Sequence, residues 1–95
     1  MNVLLQDILA GKSYPEAGSA LFELAEKAVI SNEQICLDMK GVESVPTLFM
    51  NTSFGDLILR YGIDKTKKLF TFNNITKSQV ERIQKYFNDF QKLIS

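Results

Sequence analysis

The sequence predicts a small α/β domain in which three strands alternate with three helices, in the order β-α-β-α-β-α. Short apolar runs typical of strands are separated by longer stretches whose apolar residues recur at helical spacing. Strands that alternate with helices pair in parallel through right-handed crossovers, with helices covering the sheet. The chain has 95 residues, so we expect residues 1–95 to form a single domain around one core.

The first strand and the first helix are predicted from residues 3–32. Apolar residues between Val3 and Leu9 indicate a strand, and Gly11-Lys12 indicates the turn that ends it. Ser13 has the pattern of a helix N-cap, because Glu16 follows three residues later as in a capping box. The helix should end near residues 31–32, and its apolar stripe consists of residues 17, 21, 24, 25 and 28. A further short strand, before Gly11 or at residues 42–45, remains open.

The most informative stretch is a buried strand that leads through a turn into a second helix. Residues 35–39 form a nearly unbroken apolar run, which is typical of a strand covered by helices on both faces. The chain turns at Lys40-Gly41, and a helix is expected to begin near Pro46-Thr47, because proline is favoured in the first turn. The helix N-terminus then lies at the carboxyl edge of the sheet, where ligand and regulatory sites are common.

The remaining elements follow from caps and apolar stripes. The second helix is expected to end at Gly62, and its apolar face consists of Met50, Phe54, Leu57, Ile58 and Tyr61. Residues 69–72 predict the third strand, and Asn73-Asn74 bounds it. Thr76 and Gln79 repeat the capping-box spacing at the start of the last helix. The apolar stripe of that helix consists of Val80, Ile83, Phe87, Phe90 and Ile94.

Composition argues against several classes of function. Eleven basic and eleven acidic residues cancel, which removes the usual electrostatic case for nucleic acid or an anionic membrane as partner. Histidine is absent, and Cys36 is the only cysteine, expected as a buried and inert thiol. The glycines show no phosphate-loop spacing. We therefore expect no catalytic residues, no metal, no cofactor and no enzymatic activity.

Three local features allow more than one interpretation. Asp38, inside the apolar strand, is expected to be structural, at a polar edge or hydrogen-bonded to a neighbouring loop. Ser44 or Thr47 is expected to cap the second helix, and Thr47 is the alternative candidate for phosphorylation. Asn51 and Gly55 are weak helix formers four residues apart, which indicates close approach of another element, either within the chain or from a partner.

The beginning of the sequence has no basic leader, and Asp7 interrupts its apolar run. No stretch approaches the roughly 20 apolar residues of a membrane span. We therefore expect a cytoplasmic protein.

The stretch ICLDMKGVESV, followed by Phe49-Met50-Asn51 and then Ser53-Phe54-Gly55-Asp56-Leu57, carries a resemblance that covers nearly the whole chain more loosely. It resembles the STAS-like family of unknown function, small bacterial and phage proteins similar to the STAS domains of anti-sigma-factor antagonists. The resemblance implies a STAS-like fold and a surface that binds a regulatory protein.

In the antagonists of the wider STAS group, the helix after this strand begins Asp-Ser-Ser-Gly. A partner kinase of the histidine-kinase-like ATPase fold phosphorylates the second serine, and phosphorylation releases that partner. Here the corresponding residues are Pro46-Thr47-Leu48-Phe49, so Leu48 stands at the position of that serine and Thr47 is the nearest hydroxyl. The resemblance therefore implies a partner-binding surface and an ATPase-like partner, and it weakens the case for a phosphorylation switch.

The leading hypothesis is a non-enzymatic regulatory module that docks an ATPase-like or kinase-like protein. The predicted partner-binding residues are Ser44, Thr47, Leu48, Asn51 and Gly55. The alternative is a homodimer formed through the edge of the first strand and the aromatic last helix, with Tyr86, Phe87 and Phe90 as candidate anchors.

Overall fold

A three-stranded parallel sheet organises the computed structural model, which describes residues 1–94. The strand order is β1-β2-β3, so β2 is central and the other two strands are edges. The elements are β1 (Asn2–Leu4), α1 (Leu5–Leu9), α2 (Tyr14–Ile30), β2 (Ile35–Asp38), α3 (Thr47–Met50), a π-helical segment (Asn51–Gly55), α4 (Asp56–Tyr61), α5 (Ile63–Leu69), β3 (Phe70–Asn73) and α6 (Lys77–Ile94). The predicted α/β class and its parallel pairing are confirmed.

The helices cover one face of this sheet. Val3, Leu37 and Phe72 are in register across the three strands, and their side chains pack against the core. The opposite face is exposed or half-exposed, and it carries Asn2, Leu4, Cys36, Asp38, Thr71 and Asn73. The expected cover on both faces of the central strand is therefore wrong. Along β2 the large apolar residues alternate with a cysteine and an aspartate, which is the pattern of a one-sided strand.

The first strand is shorter than predicted. β1 ends at Leu4, and residues 5–9, expected as strand, form the helix α1. Leu5 and Ile8 are both buried and lie three residues apart, which places them on one helical face, whereas Gln6 and Asp7 are exposed. So short a run fits both the two-residue period of a strand and the 3.6-residue period of a helix. The tertiary packing of Leu5 and Ile8 selects the helix.

Both predicted capping boxes are present. The Ser13 hydroxyl accepts a hydrogen bond from the Glu16 N–H at 3.3 Å and donates to the Glu16 carboxylate at 2.9 Å. At α6 the bonds are reciprocal, because the Thr76 hydroxyl accepts from the Gln79 N–H and the Gln79 side-chain oxygen accepts from the Thr76 N–H. Since these bonds involve only residues three apart, the sequence predicted both helix starts correctly.

Gly62 ends α4 as predicted, with a φ of 91° that favours glycine. The helix α5 that follows was not predicted, and β3 begins at Phe70, one residue later than expected. Inside α5, the buried Thr66 donates its hydroxyl to the Gly62 carbonyl at 2.8 Å. Residues 42–45, left open as a strand, belong to no strand or helix.

Phe54 is at the centre of the core. Its ring lies 5.1 Å from that of Phe70 in β3 and 5.6 Å from that of Phe87 in α6, centroid to centroid. It also contacts the ring of Phe49, at 6.3 Å. These contacts join the π-helical segment, α3, β3 and α6 in the core.

Candidate functional site

The helix that follows β2 is irregular at the motif identified in the sequence. Residues Asn51–Gly55 form a π-helical segment between α3 and α4. Such segments are rare and occur frequently at functional sites. The buried Ser53 hydroxyl donates to the Phe49 carbonyl at 2.8 Å, and Thr52 donates to the Pro15 carbonyl of α2 at 3.0 Å. The Ser53 bond lies within the irregular helix, whereas the Thr52 bond ties that helix to α2.

Two glycines allow other helices to approach this segment closely. A Cβ added at Gly18 of α2 would lie 2.5 Å from the Phe49 carbonyl oxygen. A Cβ added at Gly55 would lie 2.5 Å from the Tyr86 hydroxyl and 3.4 Å from the Phe90 ring. The close approach inferred from Gly55 is therefore internal and comes from α6. Gly55 is buried, which removes it from any surface that a partner could contact.

Polar side chains of α6 hold the loop before α3. Gln79 is buried, and its amide Nε2 donates to the Val42 carbonyl at 2.7 Å. One turn further along, Arg82 Nε donates to the Val45 carbonyl at 2.6 Å. Both bonds join residues 37 positions apart in the chain, so the loop depends on α6 for its position.

The same face of α6 also binds two of the predicted site residues. Arg82 Nη2 donates to the Thr47 hydroxyl at 3.2 Å, and the Tyr86 hydroxyl donates to the Asn51 side-chain oxygen at 2.8 Å. We refer to Gln79, Arg82 and Tyr86 as the α6 ladder. Sequence reasoning did not assign these residues to the site. Their spacing of three and four positions, which places polar groups on one face of a helix, was the available signal.

Thr47 and Ser44 do not cap α3, and the predicted cap is wrong. The N-cap is Pro46, without a side-chain cap bond, and its carbonyl accepts from the N–H groups of Phe49 and Met50. Thr47 is the first helical residue, where its hydroxyl accepts the hydrogen bond from α6 instead. The Arg82 guanidinium therefore contacts this helix start as a donor and does not replace a side-chain cap.

Four of the five predicted site residues are exposed in one segment. Ser44, Thr47, Leu48 and Asn51 are accessible, and the Leu48 residue is 59% exposed although it is large and apolar. We call these four residues the Leu48 surface. In this surface a large apolar side chain is exposed among hydroxyl and amide groups, on a segment that Arg82 and Tyr86 hold in place.

Asp38 ties together the ends of two neighbouring strands. Its Oδ1 accepts hydrogen bonds from the Asn74 side chain at 2.9 Å and from the Lys40 N–H at 3.0 Å. These two bonds, the Asn74 bond first, hold the pKa of the Asp38 carboxyl below its usual value. The expected hydrogen bond to a neighbouring loop is confirmed, and Asp38 fixes the turn after β2.

The Cys36 thiol is half-exposed, so the expected burial is wrong. The side chain points to the open face of the sheet, because it alternates with Ile35 and Leu37 along β2.

Within residues 1–94, no cluster of three or more cysteine and acidic side chains is placed to hold a metal ion. In the same part of the chain, no helix combines the length and apolar character needed to cross a membrane.

Comparison with known proteins identifies one family. The model of a STAS-like domain of unknown function matches residues 17–80, which include most of α2 and all of β2, the π-helical segment and β3. No curated protein and no solved structure matches the chain. The matched residues are more than half of the chain, and they contain the motif around Asn51. The chain therefore belongs to the family of STAS-like domains of unknown function.

Proposed function

We propose that this chain is a non-enzymatic regulatory module that docks a protein partner through the Leu48 surface. The observation that carries the proposal is that Leu48, exposed in the first turn of α3, lies between Thr47 and Asn51, which α6 holds through Arg82 and Tyr86. Leaving a leucine in water forgoes roughly 1.5 to 3 kcal/mol relative to burying it. A partner that covers this side chain recovers part of that free energy.

The support for the Leu48 surface makes it suitable for binding. Arg82 holds the residues on either side of Pro46, and Tyr86 holds Asn51 one turn beyond Leu48. A surface that is already ordered loses little conformational entropy when a partner binds. Hydroxyl and amide groups around a central apolar side chain also match the usual anatomy of an interface, with an apolar centre and a polar rim.

An ATPase-like or kinase-like protein is the proposed class of partner. The resemblance to the wider STAS group supports it, because the helix after this strand carries the serine there that a partner kinase of the ATPase-like fold phosphorylates. Leu48 stands at the position of the phosphorylated serine, so we propose docking through apolar contact rather than release by phosphorylation at this position. A partner of this class should present an apolar pocket to Leu48.

Thr47 is the candidate phosphorylation site of the Leu48 surface. A phosphate there would add about −1.5 to −2 charges, next to the Arg82 guanidinium, which lies 3.2 Å from the Thr47 hydroxyl. Recovery of a Thr47 phosphopeptide from native cells would support regulation at this residue. A Thr47→Asp variant that binds its partner as tightly as wild type would argue against it.

The test is affinity capture from the native host with a matched pair of variants. Leu48→Asp places a charge in the proposed surface, and Leu59→Asp places it at a leucine of α4 that is 69% exposed and outside that surface. We expect Leu48→Asp to reduce recovery of the partner at least about tenfold, which corresponds to about 1.4 kcal/mol. Leu59→Asp should recover as much of the partner as the wild type does.

Thermal unfolding of both variants controls for loss of the fold. Equal recovery with the two variants would remove the Leu48 surface from the proposal. If the wild-type chain captures no partner at native expression, the docking function itself is refuted.

Self-association is the second candidate function, and the edge position of β1 favours it. Met1 and Leu4 are exposed beside that edge. The aromatic anchors support it less, because Phe87 is buried in the core and Tyr86 binds Asn51. Light scattering at high micromolar concentration distinguishes a dimer from a monomer, and Leu4→Lys should dissociate a dimer formed through this edge.

A further inference from the structure

A groove lies beside β3, between this strand, α5 and α6, on the face of the sheet that the helices cover. Its volume is about 520 Å³. Phe70, Phe72, Ile83 and Phe87 form its apolar walls, and Lys67 lies at its rim. Phe72 is only half-buried although it points toward the helix layer. The groove therefore offers aromatic surface to a side chain that enters from the strand edge.

The backbone of β3 is available along the same edge. β3 is an edge strand, and the Met39 N–H donates to the Asn73 carbonyl at 2.9 Å. In a parallel ladder, alternate residues bond to a given neighbour, so Asn73 and Thr71 direct their backbone groups to β2. Phe72, between them, directs its N–H and C=O to the free edge. An added strand would find a donor and an acceptor there.

The pleat determines which side chains such a strand would carry. Phe70 and Phe72 face the helix layer, whereas Thr71 and Asn73 are exposed on the open face of the sheet. Side chains of an added strand follow the same alternation. Every second side chain would enter the apolar groove, and those between would lie in water beside Thr71. The matching occupant is an extended segment with alternating apolar and polar residues.

The positive charge of Lys67 at the rim of the groove favours an acidic residue in the occupying segment. Lys67 is exposed, and no acidic residue is among the described residues that line the groove. A carboxylate at one end of an occupying segment would lie near this ammonium group. A basic residue at that place would be repelled.

We propose that β3 and this groove bind an extended amphipathic segment of a partner protein that carries an acidic residue, and that the segment adds to the sheet as a fourth strand. Addition of a strand to a sheet edge is an established mode of peptide recognition, with backbone bonds for affinity and alternate side chains for specificity. The site is separate from the Leu48 surface and does not rest on the function proposed for it.

Nuclear magnetic resonance titration with two synthetic peptides tests the proposal. The probes are acetyl-Glu-Thr-Val-Thr-Val-Thr-amide and acetyl-Thr-Val-Thr-Val-Thr-Glu-amide, which place the acidic residue at opposite ends and on the same side of the strand as the valines. We expect one of them to shift the amide signals of residues 70–73 and to slow hydrogen exchange at the Phe72 amide. The peptide that binds identifies the strand direction, because Lys67 lies before the start of β3.

Two matched pairs of variants locate the binding. Lys67→Glu should weaken binding about threefold to tenfold, whereas Lys68→Glu, next along α5 and outside the groove lining, should leave it unchanged. Phe72→Pro removes the outward N–H at a position where an edge strand tolerates proline, and it should abolish binding. Phe72→Val keeps that N–H and should retain part of the binding. If Phe72→Pro does not fold, the comparison of Lys67→Glu with Lys68→Glu still tests whether the peptide binds in the groove.

Several results would overturn the proposal. These are no binding by either peptide, signal changes located away from residues 70–73, equal loss with both lysine variants, or a free protein that is already dimeric through β3. The Leu48→Asp variant should bind the peptide as wild type does. Loss of partner capture with peptide binding intact would therefore separate this site from the Leu48 surface.

Discussion

Replacing Arg82 by alanine removes the side chain that holds both sides of the α3 start. Its Nε donates to the Val45 carbonyl at 2.6 Å and its Nη2 donates to the Thr47 hydroxyl at 3.2 Å. A hydrogen bond from a charged donor contributes about 1.5 to 3 kcal/mol when it is well shielded. Arg82 is exposed overall, so solvent screening lowers that range. We expect a loss of about 1 to 2 kcal/mol in the free energy of unfolding.

Urea unfolding followed by circular dichroism measures this loss, with a midpoint that falls at nearly constant slope. For a domain of this size the melting temperature should fall by about 4 to 8 °C per kcal/mol. Arg82→Lys should recover only part of the loss, because an ammonium group cannot reproduce the fork of two guanidinium donors. The variant should also weaken partner capture, since the Leu48 surface loses its support.

Lys85→Ala is the control, because Lys85 lies on the same helix and makes an exposed ion pair with Asp89. An exposed pair of this kind contributes little to stability. If Arg82→Ala costs no more than Lys85→Ala, the α6 ladder does not stabilise the loop, and the reasoning that connects it to the Leu48 surface fails.

Three further predictions concern the packing and polar contacts around the site. Gly55→Ala should cost no more than about 2 kcal/mol in urea unfolding, because its Cβ would lie 2.5 Å from the Tyr86 hydroxyl while alanine gains up to about 1 kcal/mol of helix propensity over glycine. Addition of Tyr86→Phe should recover part of any loss, and purely additive effects would contradict the contact. Thr47→Ala should cost less than about 0.5 kcal/mol, since Thr47 does not cap α3; a loss above 1 kcal/mol, about that of a true cap, would count against this. The hydrogen bond from Asn74 lowers the pKa of Asp38 below 3.8, so the stability it contributes is complete above that pH and is lost as the pH falls through the folded pKa. Asp38→Asn should therefore show a smaller fall in urea midpoint between neutral pH and pH about 3 than wild type, and equal falls would refute it.

Much of the fold could be predicted because its signals are local. The caps at Ser13 and Thr76 need only a partner three residues away. Gly62 ends a helix through its own backbone preference. The alternation of strand and helix predicts parallel pairing without knowledge of any side-chain contact. The exposed part of the candidate site followed from the turn at Gly41 and the motif after it.

The errors lie where a short segment satisfies two patterns. Residues 5–9 are compatible with either a strand or a helix, and burial of Leu5 together with Ile8 decides for the helix. Thr47 stands where a cap is common, but its hydroxyl accepts from Arg82, 35 residues away. No window of the sequence that is local enough to predict a cap contains both residues.

By itself, the sequence determined the alternation of strands with helices, the parallel sheet and the helix boundaries at Ser13, Gly62 and Thr76, because these depend on periodicity and on bonds between near neighbours. Only the tertiary structure decided that the helices cover one face of the sheet and that Gly55 lies beneath α6. It also decided that the α6 ladder positions the segment before and after Pro46. These features depend on which helices meet in space. Contacts across more than thirty residues are chosen by the packing of the whole core, which no local pattern encodes.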